Sequence, residues 1–456
     1  MRRQRTFSAE AYVAPQAGAT AQRSFGRFKA ASESSSKAFA RAPYTTFFFI
    51  LLVTFLVAFP KGGVKVGNVP VTIGYVALGF VTFLGLGRFL TNLHNLPQNA
   101  SVAWLFTVPF QLTLVITYLT LGVAKDSSTL LIVAATSFIF MPTAFLLILA
   151  PSLRLLQSDT IKATLVFAIR FICIFGLIVF SVKTLTGYTV EIPFLTVNLD
   201  DIDALGSKNN TRGELFKLIS TYNNGNIFGV CLGMMLPLYY FIERKRIFFI
   251  LAIVCMLLTL SRTAWVAAVL ILMTIAFIEG LKPARIAGLG LLALVFIGVL
   301  PILVELMGRD VGKFLFDSGL GNRSSQLEAF FDFHFEPIAP ISNIYEMIYA
   351  SIYGNYGLFG LISFLSFLGG PIAVILFRRN RTPVNRAAAA GMFIYMIVSM
   401  SDGAIMLIPV MAHYFFVALL GLEIVEDDQD ISDASSSNPS PIRRHGFRRA
   451  RFQLNE

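Results

Sequence analysis

Apolar runs of roughly 20 residues, the length needed to cross a bilayer as a helix, recur along the chain from Tyr44 to Ile424 and are separated by short polar or Gly/Pro-bearing stretches. They predict spans near 44–60, 71–90, 101–124, 129–150, 161–185 and 223–242. The next run, Ile247 to Ile278, is too long for one span, and "LTLSRTAWVAAVL" (258–270) places Ser261 and Arg262 inside it. A ninth apolar span follows near 286–306, then a return helix through "YGNYGLFGLISFLSFLGGPIAVILF", and two last spans near 387–401 and 403–424.

Basic residues set orientation, because Lys and Arg flanking the spans are retained inside. "RFLTNLHNLPQN", "LRLLQSDTIK", "ERKR" (243–246), "LKPAR" (281–285) and "RRNR" (378–381) therefore mark the inner side. With basic clusters on both sides of the 247–278 run, that run crosses twice, as two short helices meeting outside with Ser261 and Arg262 at their junction. This places Arg262 at the outer boundary, avoiding the several kcal/mol, roughly 2.5–3.5, of a charge at mid-bilayer. The expected fold is all-α and polytopic, with about twelve spans, both termini cytoplasmic, and two larger outer loops, 186–222 and 307–342. The weakest point of the alternation is the first hairpin, "KGGVKVGNVP", which carries Lys61 and Lys65 outside.

Composition agrees. Of 456 residues 55% are hydrophobic and 14% charged, and the mean hydropathy is +0.70, outside the range of soluble domains. Cys173, Cys231 and Cys255 all fall in apolar segments, which reads as packing rather than a disulfide framework or zinc site. The net charge is +11. Residues 1–43 hold eight of the basic side chains among Ala, Ser and Gly and read as a disordered cytoplasmic tail; residues 426–456 read the same way, with 44–425 as the transmembrane domain. Nucleic-acid binding is not expected, since no folded basic surface accompanies the tail. A signal peptide is not expected either.

Candidate chemistry collects on the outer side. Arg212 in "NNTRGELFK", Arg262, and Arg323 in "GLGNRSSQLEAFF" suit bidentate binding of a phosphate or pyrophosphate; each equally suits an anchor snorkelling to headgroups. Asn223, Asn224 and Asn226 open the sixth span, where they would cap the helix or bind sugar hydroxyls. Asp200, Asp201 and Asp203 form an acidic run that lacks the glycine and closing glutamate of a calcium loop and reads as solvated. Outer general-base candidates are His334, Glu336 and Glu346. His94, assigned inside, and His413, within the last span, do not join this group.

"LTLSRTAW", the Asn-rich "NNGNIFG…LPL" one hairpin earlier, and an Arg-bearing outer loop ending in "YGLFGLISFL" together resemble the O-antigen ligase and polymerase family over roughly residues 205–377. The resemblance implies a glycosyltransferase of the GT-C type. Such an enzyme moves glycan from undecaprenyl pyrophosphate at the periplasmic face of the bacterial inner membrane, without cofactor or metal. It implies membrane lipid, a flippase and a chain-length regulator as partners. Arg262 matches the family's boundary "SR" and Arg323 its loop arginine, both engaging the pyrophosphate; Arg212 matches more loosely, and Ser261, Asn224 and Asn226 would line the substrate site.

The family's His-Asn pair ahead of the "GLFGL" stretch is replaced here by "SNIYEMIY". Either Glu346 stands at the histidine's place or Asn343 at the asparagine's, and His334 is the alternative base. A repeat-unit polymerase is the expectation, with an O-antigen ligase acting on lipid A core or protein as the alternative. A transporter or lipid flippase is the rival of another class. A metal-dependent glycosyltransferase is disfavoured, because the first outer loop has no carboxylate.

Overall fold

In hydrocarbon every backbone amide and carbonyl must find its partner within the protein, so an apolar run that enters the membrane is driven to form a helix. The computed structural model describes residues 44–66, 69–91, 93–122, 128–199, 210–212, 215–280, 324–327, 330–340, 347–402, 404–405 and 409–424, with a few isolated positions between 287 and 305. Among them, eight helices are long and apolar enough to cross a membrane. They are α2 (Ile73–Thr91), α3 (Gln98–Leu121), α4 (Thr129–Leu153), α5 (Ser158–Thr186), α6 (Gly225–Ile242), α8 (Arg262–Glu279), α9 (Ile348–Phe377) and α10 (Pro383–Asp402). Three shorter apolar helices join them: α1 (Tyr44–Ala58), α7 (Arg246–Leu258) and α11 (Val410–Glu423). The multi-pass helical architecture thus stands; the expected ninth span near 286–306, both tails, and the acidic run at 200–203 lie outside the described residues.

Two small antiparallel ribbons interrupt the helices. β1 (Gly63–Val66) pairs with β2 (Val69–Thr72), Gly63 opposite Thr72, and forms the first hairpin; β3 (Thr211–Arg212) pairs with β4 (Leu215–Phe216). Gly63 also bridges to Asn198, which brings the α1–α2 and α5–α6 connections to one end of the bundle.

α6 occupies the middle. It is 78% buried, against 28% for α2 at the periphery, and packs on α5, α7, α8, α10 and α11. Its sequence explains the position. Gly225, Gly229 and Gly233 recur every four residues, so they lie along one face. A methyl group on Gly229 would stand 2.7 Å from Ala264 Cβ, and one on Gly233 would stand 3.5 Å from Ala267 Cβ. On the α10 side, a methyl on Gly391 would collide with the Met234 carbonyl oxygen of α6. Small residues on both faces let three backbones approach closely, which replaces the hydrophobic drive that lipid does not supply.

The two ends of the bundle differ. At one end, charged side chains are paired: Arg154 bonds Glu423, and Arg378 Nη1 donates to Leu422 O at 2.9 Å. Arg170 grips Glu243 through Nε and Nη2 at 2.7 and 2.5 Å, and Tyr239 Oη donates to the same carboxylate at 2.7 Å. Glu243 lies just past the end of α6. Burial by itself raises its carboxyl, and the bonds from Arg170, the Lys245 amide and Tyr239 outweigh that, bringing it down to about 2. We call this the basic end. The other end carries the α7–α8 turn, the start of α6 and the end of α10, and is the tip end. The buried cysteines are free, and Cys255 Sγ donates to Cys173 O at 3.5 Å, in keeping with packing.

Gly391→Val should lower detergent-solubilised thermal stability by about 1–3 kcal/mol or more through overpacking against backbone, whereas Gly79→Ala, where nothing lies within 4 Å, should be neutral or stabilising. Equal melting shifts for the two would refute the close-approach role. Because the folded Glu243 value lies below its ordinary one, its stabilisation is complete above about pH 4.5 and lost as pH falls toward about 2. Glu243→Gln should therefore flatten the acid limb of the melting profile in that window and leave its shape at neutral pH unchanged.

Candidate active site at the tip end

The opening riddle of the sequence, a serine and arginine inside an apolar run, resolves as expected into a hairpin. α7 ends at Leu258, Thr259 and Leu260 turn, Ser261 is the N-cap of α8, and Arg262 is its first residue. The turn works because the last carbonyls of α7, which a helix end leaves without partners, are each served. Thr259 Oγ1 donates to Met256 O at 2.6 Å, Trp265 Nε1 to Leu257 O at 2.9 Å, and the Leu218 amide to Leu258 O at 2.9 Å. The "T" and "W" of "LTLSRTAW" are thus the residues that close the hairpin. Leu260 sits at φ +52°, a strained conformation for a bulky side chain.

Arg262 is half-buried. A cation at the first position of a helix opposes the positive end of the helix dipole, so helix stability does not explain it. The side chain instead adds charge to a helix start whose N-cap provides no side-chain acceptor. A helix start and a guanidinium are each suited to an anion.

The start of α6 lies against this turn. A methyl on Gly225 would stand 3.2 Å from Thr259 O. Asn224 caps α6, its Oδ1 accepting from the Asn226 amide at 2.8 Å and the Ile227 amide at 3.2 Å, so the capping role weighed for it holds. Asn226 Nδ2 donates to Asp402 Oδ2 at 2.8 Å. A carboxylate accepts only, which fixes the amide orientation and leaves Asn226 Oδ1 buried without a hydrogen-bond partner. Asn223, at φ +57°, receives Asn210 Nδ2 on its carbonyl at 3.3 Å, and its own Oδ1 is also buried and unmatched. Such atoms cost about 1–3 kcal/mol each if left dry. They are acceptors waiting for a donor.

The structure therefore sets the turn that carries Ser261 and Arg262 against the start of α6, where Asn224 and Asn226 lie. His334 lies elsewhere at this end, on the segment Phe330–Pro340 docked at a break in α9. There Gly357 adopts φ +66°, ψ −166°, a conformation essentially confined to glycine. The expected single return helix is in fact two. Tyr349 lies 6.0 Å from Phe364 ring to ring, where a straight helix would separate the two positions by about 22 Å, so Ile348–Tyr356 folds back beside the rest. The backbone groups freed by the break are taken up by the docked segment: Leu358 N donates to His334 O at 3.0 Å, Phe359 N to Phe335 O at 3.3 Å, and Ile338 N to Asn355 O at 2.9 Å. The His334 Nδ1 position, 2.9 Å from Asp332 O, requires a proton on Nδ1. Nε2 is buried without a hydrogen-bond partner among the described residues. Glu336, on the same segment, is exposed.

Arg212 lies in β3 opposite Leu215. Arg323, Asn343 and Glu346 lie outside the described residues, as does any geometry between them and Arg262. Among the described residues no three His, Cys, Asp or Glu side chains converge as a metal site would require.

Asp402, at the end of α10, is not among the residues expected at the site, yet it is buried and holds Asn226; an acid at a span end is the signal that could have found it. His413 lies within the last span, as expected; the contact that the sequence does not show is with Tyr222, whose Oη, just ahead of α6, lies 3.0 Å from His413 Nε2 and 3.0 Å from Val57 O. The reason is tertiary. The segment before α6 dips into the bundle, as Ser220 Oγ reaching Ile172 O in mid-α5 at 2.6 Å also shows.

No family model matches the chain, and no curated protein matches it. Function must be read from the residues.

Gly357→Ala would place a methyl 2.7–2.8 Å from Phe335 O and Glu336 O and force an unfavourable φ. It should release the docked segment, seen as faster amide hydrogen exchange at Leu358 and Ile338 with the α6 core still protected. Unchanged exchange at those amides would show that the break does not depend on glycine.

Proposed function

We propose that this chain is a polytopic membrane glycosyltransferase that transfers glycan from undecaprenyl pyrophosphate to a lipid-linked acceptor at the periplasmic face, a polysaccharide repeat-unit polymerase. The observation that carries the reading is Arg262, at a strained hairpin tip whose turn packs against the start of α6, where buried amide oxygens of Asn223 and Asn226 have no donor among the described residues. One element suits a pyrophosphate and the other suits sugar hydroxyls. The basic end, rich in paired arginines, is then the cytoplasmic side, and the tip end faces the periplasm.

In this reading the acceptor hydroxyl oxygen attacks the anomeric carbon, a carbon–oxygen bond forms there, and the bond to the pyrophosphate oxygen breaks with inversion. The leaving group takes the electron pair, and Arg262 offsets the charge that develops on it. Arg323 shares that role on the strength of the sequence resemblance alone. The acceptor's proton goes to a base, for which His334 Nε2 offers an available lone pair and Glu346 remains the sequence candidate. Asn224 holds the start of α6, and Asn226, oriented by Asp402, presents its carbonyl oxygen toward substrate. Asn343 and Arg212 complete the expected substrate contacts. No metal or cofactor takes part in this mechanism.

The acceptor decides between polymerase and ligase. Gel analysis of glycan from a deletion strain separates them: single-repeat products mark a polymerase, and long lipid-linked polymer that fails to reach its acceptor marks a ligase. Arg262→Ala should abolish polymer while membrane insertion persists, and the activity of the parent chain should survive EDTA. Normal chain-length ladders from Arg262→Ala would sink the assignment.

The break in α9 favours one second reading, since transporters form sites at discontinuous helices. Substrate-dependent transport by purified protein in liposomes, without glycan transfer, would establish it.

A further inference from the structure

At the basic end, away from the tip-end site, two cavities adjoin and share Leu153 and Leu156 in their walls. The first, about 240 Å³, opens between α1, α2, α4 and α11. Its walls are apolar, formed by side chains such as Phe49, Leu52, Val81, Leu84 and Phe416, and Arg88 is part of its lining, with Nη1 donating to Thr45 Oγ1 at 3.2 Å. The second, about 520 Å³, is polar and is lined by Arg154, Gln157, Ser158, Arg378 and Glu423. Both open outward.

Among the described residues lining the second cavity, two arginines, Arg154 and Arg378, face one carboxylate, Glu423, and Arg154 already engages that carboxylate through two nitrogens. Ser158 Oγ is buried and has no hydrogen-bond partner among the described residues, and Ser158 is the first residue of α5, so its hydroxyl stands at the positive end of a long helix dipole. Asp159, next in sequence, is exposed. A cavity with guanidinium groups, an unmatched hydroxyl and a helix start recognises an anionic oxygen group. An apolar slot running into it recognises an attached hydrocarbon chain. The combined volume falls within the range of small-molecule sites, about 300–1,000 Å³.

We propose that these joined cavities bind one anionic glycerophospholipid, its acyl chain in the slot under Leu84 and its phosphate between Arg378 and Ser158. Anionic lipid is drawn to basic pockets between transmembrane helices. A neutral-headed lipid would leave the excess positive charge unmatched, and inorganic phosphate would leave the apolar slot unfilled. The lipid would tie α1 and α2 to the start of α5 and the end of α11. The site does not depend on the glycosyl-transfer reading.

Native mass spectrometry of the purified full chain, titrated with phosphatidylglycerol or phosphatidylcholine, tests this, with melting in added inorganic phosphate as a third arm. Phosphatidylglycerol should bind at least tenfold more tightly than phosphatidylcholine and raise the melting temperature, and phosphate alone should do neither. Leu84→Trp fills the slot from a partly exposed position and should reduce the preference to within twofold. Arg378→Gln should do the same, while Arg379→Gln, an exposed neighbour, should not. Equal binding of the two lipids, or an unchanged preference in Leu84→Trp, would overturn the proposal. Stabilisation by phosphate equal to that by phosphatidylglycerol would reduce the site to a simple anion pocket. Phosphatidylglycerol binding that appears only after removal of residues 2–40 would give the slot to the chain's own N-terminal segment.

Discussion

The approach of α6 to its neighbours is the constraint from which the rest follows. In a membrane, helices gain little by hiding apolar side chains from lipid, so association depends on how closely backbones can come. Glycines at 225, 229 and 233 open one side of α6 to α8, and Gly391 opens α10 to the Met234 backbone. With these contacts made, the register of three helices is fixed. The α7–α8 turn then has to meet the start of α6, and the end of α10 has to meet Asn226. Arg262 owes its surroundings to the glycines along α6 and to Gly391 of α10.

The two ends of the bundle then diverge in character. At the basic end, arginines and glutamates satisfy each other and hold helix ends together. At the tip end, the backbone is strained: Phe194, Ser220, Asn223, Leu260 and Ala404, the non-glycine residues with positive φ among those described, all lie in its connections. Buried acceptors on Asn223 and Asn226 have no donor there. Strain and unmatched polar atoms both cost stability, of order 1–3 kcal/mol each.

The break in α9 shows the same economy of satisfaction. A helix interrupted at Gly357 exposes amides and carbonyls that hydrocarbon cannot serve. The Phe330–Pro340 segment serves them with its own backbone, and in doing so carries His334 to the bundle. The histidine's position is a by-product of hydrogen-bond completion at the break.

Much of this was legible in the sequence, because span length, the inside bias of basic residues and helix capping are local effects. The apolar runs gave the helices; "ERKR" and "LKPAR" gave the double crossing of 247–278; "NNGN" gave the cap at Asn224. The fold-back of α9 was not legible, since Gly357 looks like any glycine in a transmembrane helix until another segment docks on it. Nor were the partnership of Asp402 with Asn226 and that of His413 with Tyr222, which join residues 176 and 191 positions apart. The sequence by itself determined which segments are helical, which end is basic, and that Arg262 stands at a turn. Only the tertiary structure decided what surrounds that turn, because close helix packing and the completion of buried hydrogen bonds are properties of residues distant in the chain.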